Sequence, residues 1–232
     1  MERVRQTVDR LRQIEANHRP AAFACSFGAE DMALMDLIAR HARGIEIFTL
    51  DTGRLPEETH DLLDRAREKY PVPIRVYFPD TAAVEAWVEQ NGANAFYRSV
   101  AQRKQCCHIR KVGPLGRALE GKRAWLTGLR REQSAARVAL AFEERDEAHG
   151  IPKFNPLADW SLDDVWTYIR ANGVPYNALH DRGYPSIGCA PCTRAIQPGE
   201  DIRAGRWWWE EANAKECGLH PHGEKTSRKE GA

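Results

Sequence analysis

An α/β fold built on a doubly wound, mostly parallel sheet is the class this 232-residue sequence predicts. Three observations carry that expectation. Short apolar runs alternate with amphipathic stretches as far as Gly128, the pattern of strands covered by helices on both faces. Each early run ends in a polar or Gly-containing loop from which a helix starts. No internal repeat, low-complexity block or convincing linker divides the chain, so it reads as one main domain.

The elements follow in order. Val4, Val8, Leu11 and Ile14 recur at helical spacing and predict a leading amphipathic helix over residues 1–18. Ala21 to Cys25 is a short apolar strand, followed by the loop Ser26-Phe27-Gly28-Ala29-Glu30-Asp31 and a helix through Leu34, Leu37 and Ile38. A second strand runs from Ile45 to Leu50. Asp51-Thr52-Gly53 follows, and then a helix opened by Pro56 with Glu57 and Glu58 in its first turn. Ile74 to Phe78 is the third strand and Thr81 to Glu89 a short helix. Residues 99–120 read as helical, with Gly113-Pro114 as a candidate break. Arg123 to Thr127 is the fourth strand. Beyond it Val138 to Phe142 and Ile151 to Phe154 are expected to pair as a hairpin, and Ser161-Leu162-Asp163-Asp164 is a capping box for a helix over Val165 to Arg170. After Gly173 the chain is rich in Pro, Gly and aromatics, and a charged segment begins near residue 210.

Composition narrows the function. A net charge of +1 provides no global field for nucleic acid or membrane, so any anion site must be local. No apolar run approaches the length of about 18 residues that a membrane helix needs. The opening MERVRQTVDR lacks an apolar signal core, so the expected location is the cytoplasm. Thiols stay reduced there, and six cysteines then read as metal-binding or catalytic. The sequence leaves open whether copies associate into a homo-oligomer.

Four of those cysteines form the doublet Cys106-Cys107 and the turn Cys189-Ala-Pro-Cys192. A zinc ion, an iron–sulfur cluster or two disulfides would each account for them. Consecutive side chains on a helix diverge by about 100°. They therefore converge poorly on one zinc ion, whose thiolate ligands all lie about 2.3 Å away. A cluster offers each thiolate its own iron and is favoured. Cys25 sits in an apolar strand and reads as inert core. Cys217, in Lys215-Glu216-Cys217-Gly218-Leu219-His220, is the better nucleophile, with Lys215 and His220 favouring the thiolate and Glu216 opposing it.

Two loops stand at the carboxyl edge of the predicted sheet, where such folds bind ligands. Ser26 offers a hydroxyl and Gly28 a close approach beside a helix start suited to an anion. Neither a P-loop nor GxGxxG is present, so ATP and dinucleotide readings gain no support. The segment Thr127-Gly128-Leu129-Arg130-Arg131-Glu132-Gln133-Ser134 follows the fourth strand. With Arg137 nearby it clusters cations suited to phosphate or sulfate. Further on, Arg203 and Arg206 stand three apart and would share a face in a helix, next to Trp207-Trp208-Trp209.

These motifs together resemble the assimilatory sulfonucleotide reductases of the iron–sulfur type that act on adenosine 5′-phosphosulfate (APS). The resemblance runs from about residue 20 to 220 and rests on SFGAED, LDTGRLPEET, KQCCHIRKVGPL, TGLRREQS, GCAPCTRAIQPGEDIRAGRWWW and ECGLH. It implies a sheet of the adenine-nucleotide α-hydrolase (PP-loop-like) type and a [4Fe-4S] cluster on Cys106, Cys107, Cys189 and Cys192. Arg103, Lys104, Arg110 and Lys111 would offset the cluster charge. The nucleotide is expected against Ser26, Leu50 and Gly128, and the phosphosulfate among Lys111, Arg137, Arg203 and Arg206. Cys217 is the expected nucleophile, forming a Cys-S-sulfonate as AMP leaves. With 15 residues after Cys217, no fused redox domain is expected. No resolving cysteine remains either, so reduced thioredoxin or a similar dithiol protein is the expected partner.

The same resemblance divides the chain into residues 1–209, a nucleotide-binding domain carrying the cluster cysteines, and 210–232, a flexible catalytic segment. The alternatives are a reductase for 3′-phosphoadenosine 5′-phosphosulfate (PAPS) or for both substrates. A tRNA-thiolating ATP pyrophosphatase is disfavoured by the missing SGGxDS loop and the near-neutral charge. The last alternative is a zinc-stabilised binding module.

Overall fold

The computed structural model describes residues 2–134 and 137–211. Helix α1 (Glu2–Asn17) leads into β1 (Ala21–Ala24), and α2 (Ala29–His41) into β2 (Glu46–Leu50). Next come α3 (Glu57–Lys69), β3 (Ile74–Tyr77), α4 (Thr81–Asn91), α5 (Val100–Cys107), α6 (Gly113–Leu119) and β4 (Ala124–Leu126). The chain closes with the pair β5 (Glu143–Asp146) and β6 (Ile151–Phe154), then α7 (Leu162–Asn172). The six strands lie in the order β3-β2-β1-β4-β6-β5. Every pairing is parallel except the one between β5 and β6.

The period of two in each central strand divides the core. Ala21 and Phe23 of β1, Ile47 of β2, and Ala124 and Leu126 of β4 point to one face, where α1, α2, α3 and α7 bury Leu11, Leu34, Leu62 and Ile169. Ala22, Phe48 and Trp125 point to the other and meet Leu115, Ala118 and Leu119 of α6. One buried carboxylate ties the first layer together. Asp36 of α2 accepts from Tyr168 Oη of α7 at 2.6 Å, from Tyr70 Oη after α3 at 3.0 Å and from Arg40 Nε at 2.7 Å. Those three donors satisfy a charge that would otherwise be costly to bury.

The predicted strands and helices appear with shifts of one or two residues at their ends, apart from three differences. The antiparallel partner of β6 is Glu143–Asp146, not Val138–Phe142; Val138 is 70% exposed. Residues 100–119 are not broken at Pro114. A π turn over His108–Val112 joins α5 to α6, and Pro114 falls in the first turn of α6, where its missing N–H costs little. Helix α7 begins at Leu162, inside the predicted box and three residues before the expected start, with Ser161 as its N-cap. Ser161 Oγ accepts from Asp164 N at 3.0 Å, and Asp164 Oδ2 accepts from Ser161 N at 2.8 Å.

Candidate active site

The loops after β1, β2 and β4 leave the sheet at its carboxyl edge and open into one cavity of about 1470 Å³, solvent mouth included. Ser26 and Gly128 line it from the loops after β1 and β4, and Leu50 from the end of β2. Lys111, Arg137, Arg203 and Arg206 line it as well, so the seven residues predicted to hold the nucleotide and its anions share one pocket. Trp125, Leu115 and Phe48 form its apolar wall. Arg137 and Arg206 are 5% and 7% exposed, burial that sets them apart from ordinary solvated arginines.

Phe27, buried and at φ 61°, turns the loop after β1. Beside it Asp31 accepts from both the backbone N–H and the hydroxyl of Ser26, at 2.6 Å each. Its neighbour Glu30 also lines the pocket and accepts from Arg130 Nη2 at 2.8 Å and Arg130 Nε at 3.0 Å. Cys25 lines the pocket too. Its thiol is pushed well up by burial and then by the nearby Asp31 charge, so it stays protonated.

A second cavity, of about 310 Å³ with its open solvent included, is lined by Cys106, Cys107, Cys189 and Cys192. All four are buried. Ser99 caps α5 by accepting from Gln102 N, and the helix ends on the cysteine doublet. Cys189 precedes and Cys192 ends a single 3₁₀ turn, Ala190–Cys192, held to the loop after β2 by Ala190 N donating to Arg54 O at 2.8 Å. Thr52 Oγ1 lies 3.2 Å from Cys189 Sγ, while Arg110 Nη1 donates to Thr52 O at 2.7 Å. Burial pushes the Cys106 thiol up, opposed by Arg110. Cys192 is pushed up to about 12 by burial and then by neighbouring Cys189. Among the described residues no three His, Cys, Asp or Glu side chains form a ready single-ion site. Lys111, which the π turn carries, lines both cavities.

The segment after the CxxC turn closes the site by strand-like pairing, not as the helix considered for Arg203 and Arg206. Thr193 pairs with Arg206 in an antiparallel bridge, and Trp207 N donates to Cys192 O at 3.2 Å. Gly205 is required for that approach, since a Cβ there would stand 2.3 Å from Arg194 O. Trp207 lies between two guanidiniums, with Arg103 Cζ at 4.6 Å and Arg206 Cζ at 4.7 Å from its ring centre. Trp209 packs on Phe96 and Tyr97, and Trp208 is 39% exposed.

Arg103, expected as a countercharge for the thiol cavity, lines it but gives its charge to Glu210. The pair is bidentate, Nε to Oε1 at 2.9 Å and Nη2 to Oε2 at 2.7 Å, with side chains 0% and 3% exposed. Lys104 is exposed. Cys217 lies outside the described residues. Asp31, Thr52 and Glu30 were not singled out from sequence, whereas Arg130, expected in a cation cluster for phosphate or sulfate, is buried and paired with Glu30. For the first three, polar types inside tightly turned loops at strand ends were the available signal.

Fold and pocket together define an α/β protein of the adenine-nucleotide α-hydrolase type, with a four-thiol cavity beside its ligand pocket. The chain belongs to the phosphoadenosine phosphosulfate reductase domain family, whose model matches residues 20–195. It is 58% identical over 210 residues to the adenosine 5′-phosphosulfate reductase of Burkholderia cepacia, covering 90% of this chain and 84% of that one. To the adenosine 5′-phosphosulfate reductase of Neisseria meningitidis serogroup A it is 57% identical over 212 residues, covering 91% and 87%. The fold superposes with a TM-score of 0.71 on the phosphate complex of phosphoadenylyl-sulfate reductase from Candida auris. That match is 28% identical and covers 82% of this chain and 90% of the other.

Proposed function

We propose that this chain reduces APS to sulfite and AMP, with electrons from reduced thioredoxin or a similar dithiol protein, in sulfate assimilation towards cysteine. The observation that carries the reading is Lys111, which lines both the cation-rich pocket and the four-thiol cavity. Relatives at 57–58% identity that are named for APS support that substrate over PAPS.

The nucleophile in this reading is Cys217, on a C-terminal segment 210–232 that serves the nucleotide-binding domain 1–209. Its thiolate forms an S–S bond to the sulfuryl sulfur as the S–O bond to phosphate breaks. AMP leaves with that electron pair, and the enzyme carries a Cys-S-sulfonate. Lys111, Arg137, Arg203 and Arg206 balance the charge that moves onto the phosphate, and Ser26, Leu50 and Gly128 hold the nucleoside. A thiolate of the partner then attacks Cys217 Sγ, sulfite departs with the S–S electrons, and the partner's second thiol resolves the mixed disulfide. The dithiol supplies both electrons.

Cys106, Cys107, Cys189 and Cys192 would hold a [4Fe-4S] cluster. The donor set supports that fit, because four soft thiols and no carboxylate or imidazole line the cavity. When bound, the cluster supplies a fixed negative charge beside Lys111. A reducing cytoplasm suits thiols in this use, and no helix among the described residues is long and apolar enough to cross a membrane.

The test is turnover of APS and PAPS side by side by the purified full chain with reduced thioredoxin. Sulfite and AMP from APS, well ahead of PAPS, is the expected result. Equal or faster use of PAPS would reverse the substrate assignment, and no sulfite from either would overturn the reading.

A further inference from the structure

Asp31 is the first residue of interest outside the roles already assigned. It stands in the first turn of α2, is 8% exposed, and lines the pocket. Its carboxylate serves two loops at once. From the loop after β1 it takes both Ser26 donors at 2.6 Å. From the loop after β4 the backbone of Gly128 lies against it and helps to hold its pKa down. The approach is close enough that a Cβ on Gly128 would stand 2.1 Å from Asp31 Oδ1, so glycine is needed there.

We infer that Asp31 is a positioning residue for the nucleotide, holding the loops after β1 and β4 at the spacing where Ser26 and Gly128 both face the ligand. The inference rests on the proposed nucleotide pocket. An ionised carboxylate accepts from both Ser26 donors and faces the Gly128 backbone as a pure acceptor. A protonated acid turns its O–H to the Ser26 hydroxyl, which then accepts, and the charge-assisted hold on the two loops weakens.

Burial is the main force on this group and pushes it up to about 6; the two Ser26 donors oppose that, and the charge of Glu30 on the same helix adds to it. The other groups near it are accounted for. Arg130, after β4, meets Glu30 at 2.8 Å. Cys25, at the end of β1, is held protonated. Lys111, Arg137 and His180 line the same pocket from its other walls. The sign of the linkage follows. A carboxyl raised from 3.8 to about 6 in the folded chain binds its proton more tightly there than when unfolded. Ionised Asp31 therefore costs stability above pH 6, and that cost is relieved as pH falls. The group contributes to ligand affinity in the opposite sense, above pH 6 and not below. A residue kept for folding alone would not show this opposition.

The experiment measures AMP affinity of the full chain and of Asp31→Asn by calorimetry between pH 5 and 8. Asparagine mimics the neutral state, and titration of the AMP phosphate is common to both proteins, so the ratio of their Kd values isolates Asp31. The ratio is expected to be roughly tenfold or more at pH 7.5, from the loss of charge-assisted hydrogen bonds. It should approach one at pH 5, with the variant melting no lower than the wild type at pH 7.5. A ratio near one at pH 7.5, or one constant with pH, overturns the inference. Failure of the wild type to bind AMP at all would overturn the pocket assignment instead. Should Asp31→Asn not fold, adenosine, which has no phosphate to titrate, serves with the wild type alone. Its affinity must fall as pH drops through about 6, and a flat profile overturns the inference.

Discussion

Replacing Glu210 with glutamine should unsettle the whole site, because the side chain it pairs with has no water to turn to. Arg103 is fully buried and the Glu210 side chain is 3% exposed, and the two meet through two hydrogen bonds of 2.9 and 2.7 Å. Removing one partner of such a pair strips the buried guanidinium of this carboxylate and costs up to about 3–5 kcal/mol. Glutamine keeps one acceptor oxygen, which places Glu210→Gln near the lower figure. For a chain of this size each kcal/mol moves Tm by about 2–4 °C, so the loss should be of order 6–12 °C. The double variant Arg103→Met/Glu210→Gln removes the buried guanidinium but also its stacking on Trp207. It should recover part of the loss and so be less destabilised than the sum of the singles. Thermal unfolding of the four proteins, followed by circular dichroism, measures the cycle. A Glu210→Gln variant melting within about 2 °C of wild type would refute the reasoning, as would strictly additive singles.

Cys217→Ser should abolish sulfite release from APS while leaving AMP affinity and iron content unchanged; retained turnover would remove Cys217 as nucleophile. Lys111→Ala should lower kcat/KM for APS by roughly a hundredfold, from loss of a cation facing the transferred group, with a small change in Tm; an unchanged rate would return Lys111 to the class of solvated charges. The chain purified without oxygen should carry about four irons and four acid-labile sulfides. One zinc and no sulfide would exclude the cluster.

The alternation that fixes the central sheet was readable because β1, β2 and β4 are apolar on both faces and bounded by turns. Strand β5 was not. Glu143-Glu144-Arg145-Asp146 has the composition of a loop, whereas the preceding Val138 to Phe142 has that of a strand. Pairing with β6 overrides both propensities. At the site the cations and cysteines were legible as residue types in recognisable strings. How Arg203 and Arg206 reach one pocket was not, because the antiparallel bridge between Thr193 and Arg206 joins residues separated in sequence and no local pattern marks the pairing. Asp31 was hidden for a different reason. An acidic residue in the first turn of a helix normally earns its place from the helix dipole alone, and nothing local announces that its carboxylate also reaches a loop about a hundred residues away, at Gly128.

The charged makeup of β5 bears on how the molecule behaves in a crowded solution. It is the outermost strand on its side of the sheet, and an outer strand offers unpaired N–H and C=O groups to any passing chain. Here the row is short, antiparallel to its neighbour and carries four ionic side chains in succession, with Lys153 Nζ donating to Glu144 across the pair at 3.1 Å. Adding a strand at this margin would press further charges against these four. Templated growth of the sheet is therefore discouraged at β5, and contacts between copies of the chain are steered to side-chain surfaces elsewhere.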